Sequence, residues 1–177
     1  MIRFLTTFII ILIFWQLICI ISNLPPFILP TPYLVGLSLI ENYYEILNHT
    51  KITLLEIILS LIFGILIGTI FAILVSTSNN LKRWLMPILL SSQAIPVFAL
   101  APILVLWLGY GISSKIVIGT IIVFFPIASN FSDAINNIPK QYLHAGETLG
   151  LSKIQILYLL KLPIALPGLF SGIRVGA

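Results

Sequence analysis

Charge is what this sequence has least of. Only 8% of its 177 residues are Asp, Glu, Lys or Arg, and the runs 4–40, 57–80, 84–114 and 116–132 carry none at all. A water-facing surface cannot be built from so few ions, which excludes an ordinary soluble domain. Cysteine is nearly absent too, and the lone Cys19 excludes an internal disulfide framework. Two separated histidines, with no H-E-x-x-H and no G-x-S-x-G, supply neither a metal set nor a nucleophile–base pair. The reading is therefore of a non-enzyme: no catalytic residue, no metal ligand, no cofactor-binding residue. The segment GYGISSKI at 109–116 lacks the G-x-x-x-x-G-K-[ST] spacing of a phosphate-binding loop, so ATP chemistry would have to come from a partner. Basic residues do not cluster with aromatics, and no nucleic-acid partner is expected.

What fills the chain instead is hydrocarbon, at 59% hydrophobic residues and a mean hydropathy of +1.16. A bilayer core about 30 Å thick takes roughly 20 apolar residues of helix, and a charge at its centre costs roughly 2.5–3.5 kcal/mol. The gaps between charges thus mark spans near 4–22, 52–77, 85–108 and 115–131, with a further one opening near 163. The expected fold is all-α, a polytopic transmembrane helical bundle of about four complete spans plus a partial fifth, in contact with membrane lipid. A cleaved signal peptide competes for residues 1–22, but the apolar run is long for one and no small-x-small site precedes Pro25.

Orientation follows from the basic residues, which concentrate in cytoplasmic loops. An N-terminus inside places Arg3, Lys82, Arg83, Lys140, Lys153 and Lys161 in the cytoplasm and only Lys51 and Lys115 at outer ends of spans. Residues 1–23 then form the first span, 24–50 an outer loop, 51–135 spans two to four, 136–163 a cytoplasmic loop and 164–177 the partial span. In the outer loop, Glu41 and Glu45 recur at i, i+4 between Tyr33 and Leu47, which suits an amphipathic surface helix or an ordered loop.

Three features stand inside the spans. Gly64 and Gly68 share a helix face and permit close approach of another helix. Glu56 is the one acid within a span, expected to snorkel or to pair with a neighbour such as Lys51. The third span carries Ser91, Ser92, Gln93, Pro96 and Pro102, so it should be interrupted; Ser91, Ser92, Gln93 and Pro96 are candidates for a polar cavity or translocation path, with a kinked packing helix as the plain alternative.

The densest punctuation lies in the loop after the fourth span. Pro139 suits a first helical turn and Gly150 a helix end, with Lys140, His144 and Glu147 on one face and Tyr142, Ala145, Gly146 and Leu149 opposite. Ser152-Lys153-Ile154-Gln155 has capping-box form, so a second helix should begin there and run toward Pro163.

This loop resembles the cytoplasmic E-A-A-x-x-x-G-x(9)-I-x-L-P loop of ABC-importer permeases. Ala145-Gly146, then Gly150, then Leu160-Lys161-Leu162-Pro163 keep its spacing, with His144 in the place of the family's Glu and Gly146 in that of the second Ala. Further segments, among them LPTPYLVGLSLIE, IPVFALAPILVLWLGYGISSKI and FFPIASNFSDAINNIPKQYLHAGETLG, resemble the nitrate, sulfonate, taurine and thiamine-pyrimidine branch of that family. The likeness implies a type I importer permease of the bacterial inner membrane. His144, Ala145, Gly146, Glu147, Gly150, Leu160, Leu162 and Pro163 would then couple it to a partner ATPase subunit, an extracytoplasmic solute-binding protein would deliver the solute, and the permease would act as a homodimer. Such permeases continue beyond this loop by at least one more span, so the chain is expected to be a truncated or split permease. The alternative is a non-transporting remnant that only anchors or binds partners in the membrane.

Overall fold

The computed structural model describes residues 2–94 and 96–177, with the side chains of Ile2, Asn79, Ser92, Gln93, Ala94 and Phe98 outside that description. The helices are α1 (Ile2–Ser22), α2 (Pro32–Glu41), α3 (Tyr43–Thr77), α4 (Asn79–Ala94), α5 (Val97–Leu108), α6 (Ile112–Asn136), α7 (Lys140–Thr148), α8 (Lys153–Ile156) and α9 (Leu162–Gly176), with a π-helical turn at Leu157–Lys161 between the last two. Among the described residues there is no strand, and the fold is the all-α membrane bundle that the composition implies. Among the described residues, four helical stretches are long and apolar enough to cross a bilayer: residues 3–22, α3, α6, and the continuous 24-residue run Lys153–Gly176.

The chain divides into two compact units, Met1–Thr53 and Leu54–Ala177. In the first, α1 leaves most of its large apolar side chains exposed, as a lipid-facing helix requires. The Cys19 thiol points at the Pro30 carbonyl, 3.6 Å away. Thr31 caps α2, its hydroxyl accepting from the Leu34 N–H, and Pro32 occupies the first turn, where its missing N–H costs nothing. Residues 33–47, read as an amphipathic surface helix or an ordered loop, are helical but divided between two helices: Asn42 folds its side-chain amide back onto the Ser38 carbonyl at 2.9 Å, α2 stops at Glu41, and α3 starts at Tyr43.

In the second unit a core of Ala72, Phe131, Ile135, Ile138 and Ala165 joins α3, α6 and α9. Small residues let these helices approach. A Cβ at Gly64 or Gly68 would lie 2.7 and 2.9 Å from the side chains of Val123 and Ile127. One at Gly172 would come within 2.8 Å of the Ile127 Cα and the Pro126 carbonyl. Phe71 and Phe124 pack edge to face, with ring centroids 5.4 Å apart. The third hydrophobic run is interrupted as its prolines suggest, α4 ending at Ala94 and α5 beginning at Val97.

The helix expected to run toward Pro163 passes through it. The Leu162 N–H donates to the Leu157 carbonyl, five residues back, so the turn widens just before a residue that has no N–H to give. The π turn makes α8 and α9 one continuous rod.

Candidate functional site: the α7 loop and the buried ion pair

The C-terminal end of α7 and the start of the helix after it are both fixed by local chemistry. After Thr148 the chain turns through Gly150 at φ +79°, a left-handed backbone that glycine adopts freely. The Leu151 N–H reaches the Gly146 carbonyl and the Gly150 N–H the Glu147 carbonyl, each at 3.0 Å, which is the Schellman pattern. The next helix is fixed by a reciprocal cap: the Ser152 hydroxyl accepts from the Gln155 N–H, and the Gln155 side-chain oxygen accepts from the Ser152 N–H at 2.8 Å. Two helix ends thus meet within four residues, each closed by local hydrogen bonds.

The faces of α7 divide differently from the sequence expectation. Gly146 is buried, and a Cβ there would lie 2.7 Å from Leu160, so it belongs with half-buried Leu143 on the inward side. Tyr142, Ala145 and Leu149 face outward, at i, i+3 and i+7, with Leu149 80% exposed. His144 and Glu147 are exposed neighbours, Nδ1 to Oε2 at 3.3 Å, and the Thr148 hydroxyl donates to the His144 carbonyl. Leu160 and Leu162 are half-buried and Pro163 is exposed. The loop therefore brings Gly146 and Leu160 together and presents a short apolar strip, with the exposed His144–Glu147 pair on another side of the helix. A capped helix with such a strip suits insertion into a groove of another protein.

The third-span candidates are placed less informatively. Ser91 is exposed, Pro96 is exposed at the start of α5, and the side chains of Ser92 and Gln93 lie outside the described residues.

Glu56 is buried, and its partner is Lys115 at the start of α6, Oε1 to Nζ at 3.1 Å. Five residues along a helix turn through about 140°, so Lys51 cannot share its face. Next to the pair, the Ser60 hydroxyl donates to the Ile116 carbonyl at 3.2 Å, and Gly119 supplies the space for Ser60. Sequence reading missed Lys115 because the contact spans 59 positions; the one available signal was a lone cation at the head of the next apolar span.

Helices long and apolar enough to cross a bilayer, joined by a loop helix with an apolar strip, are those of a multi-pass membrane protein. The chain belongs to the family of binding-protein-dependent transport system inner membrane components, whose pattern matches residues 64–177. It is 42% identical over 166 residues to a probable ABC transporter permease protein of Haemophilus influenzae, covering 94% of this chain and 68% of that protein. It is 32% identical to the formylaminopyrimidine transport permease protein ThiX of Halalkalibacterium halodurans, covering 95% of this chain and 67% of that one. It is 35% identical to the riboflavin transport system permease protein RibX of Chloroflexus aurantiacus, covering 96% and 64%. The chain thus spans about two thirds of the length of these relatives.

Proposed function

We propose that this chain couples ATP hydrolysis by a partner ATPase to solute movement, with α7 as the element seated in the ATPase. The observation that carries the reading is the outward strip Tyr142, Ala145 and Leu149 on a helix closed at its C-terminus by the Gly150 turn, with Gly146 packed on Leu160 of the membrane-spanning rod. A displacement of α7 by its partner would pass directly into Lys153–Gly176, because Gly146 packs on Leu160 and the rod is continuous. Two such permeases around a shared path, alternating between inward- and outward-facing states, account for uptake. A solute-binding protein outside would deliver the cargo. The positive-residue bias supports a cytoplasmic N-terminus and a cytoplasmic α7.

The cargo in this reading is a small solute, with formylaminopyrimidine- and riboflavin-type heteroaromatics first among those to test, after the relatives named for them. The test is radiolabelled uptake into cells whose own copy is deleted and replaced by wild type or Ala145→Arg, with membrane levels measured by immunoblot. The account expects uptake from wild type, none from Ala145→Arg, and equal membrane levels. Equal uptake from both would overturn the coupling role, and a membrane-inserted wild type without uptake of any solute tried would favour an anchoring role.

A further inference from the structure

A cleft of about 400 Å3 opens where α3, α7 and the α8–π–α9 rod converge, lined among others by Thr77, Leu143, Glu147, Lys153, Leu157 and Lys161. Its level is set by the helices themselves. Thr77 is the last residue of one membrane-spanning helix and Lys153 the first of another, so the cleft sits where headgroups meet water. Its walls are mixed, with Leu157 buried and Leu143 half-buried beside two ammonium groups. Among the described residues neither Lys153 nor Lys161 has an ion-pair partner, and the nearby Glu147 carboxylate is engaged by His144 rather than by either lysine. The two lysines lie eight residues apart on one rod, about 12 Å along its axis, a gap that two flexible four-carbon stems can close onto a single phosphate.

We infer that this cleft binds the phosphate headgroup of an anionic phospholipid, with the apolar walls taking the upper acyl chain. The shared chemistry is a phosphate oxyanion; the apolar lining and the headgroup depth select the lipid over free phosphate. The site goes beyond the transport reading and does not depend on it. Because Glu147 lies on the coupling helix and also lines the cleft, an occupied site would touch the element proposed to meet the ATPase.

The experiment is native mass spectrometry of the full chain in mild detergent, titrated with phosphatidylglycerol or phosphatidylcholine. Each lysine near a headgroup contributes about fivefold in affinity, so removing both should cost roughly thirtyfold. Wild type should retain phosphatidylglycerol in preference to phosphatidylcholine, Lys153→Gln and Lys161→Gln should each weaken it, and the double variant should abolish the preference. Lys140→Gln removes the same charge from the start of α7 without lining the cleft and should change little. Circular dichroism verifies folding, and the single variants carry the test if the double one does not fold. Equal losses for Lys140→Gln and Lys153→Gln would reduce the effect to general surface charge and overturn the site. Displacement of the lipid by millimolar inorganic phosphate would overturn its assignment to a lipid.

Discussion

Removing the Lys115 ammonium would strand the Glu56 carboxylate among apolar helices, because the glutamate is 8% exposed and its counter-ion is that lysine. Breaking a fully buried pair costs roughly 3–5 kcal/mol. Lys115 itself is 62% exposed, so a smaller loss of about 2 kcal/mol is expected for Lys115→Met. Adding Glu56→Gln to that variant should recover part of the loss, since no charge is then left unpaired. Thermal unfolding of the four proteins of this cycle in one detergent checks it; a double variant less stable than the sum of the singles would contradict the pairing. The same residues show what a sequence makes legible. An acid inside a span announces that it needs a partner, but the partner's identity depends on how two helices face each other across 59 positions.

At the scale of elements, helix packing decides more than helix propensity. Gly172 meets the Ile127 Cα and the Pro126 carbonyl, both backbone, so Gly172→Ala must push α6 and α9 apart, at about 1–3 kcal/mol. A Cβ added at Gly36 in α2 would meet nothing within 4 Å, and Gly36→Ala should be neutral or stabilising by up to about 1 kcal/mol. Melting temperatures that fall for the first and hold or rise for the second would bear this out; the reverse order would sink the close-packed seam. Elements fixed by adjacent residues are readable from sequence: the Ser152–Gln155 cap, the glycine turn at 150 and the break before Val97 all arise within a few positions. Pro163 misleads because a proline normally ends a helix, whereas one widened turn lets the rod continue. The inward turn of Gly146 is equally hidden, since a glycine on a short amphipathic helix fits either face until Leu160 folds back onto it.

For the whole molecule, composition alone dictates a helical membrane protein, and the loop spacing points to the family that the matched residues 64–177 establish. What composition cannot reach is how the faces of α7 divide, with Gly146 buried and Leu143 half-buried on one side and Tyr142, Ala145 and Leu149 exposed on the other; the proposed partner surface rests on that division. The most direct test of the central claim is site-specific crosslinking from that strip. In a Cys19→Ser background, Leu149→Cys carrying a short bifunctional reagent should crosslink in intact membranes to an ABC ATPase, identified by its peptides, and nucleotide should change the yield. Gly36→Cys, on α2 and outside the proposed cytoplasmic loop, should give no such product. Crosslinking to the ATPase from position 36 but not from 149 would contradict both the orientation and the coupling role assigned to α7.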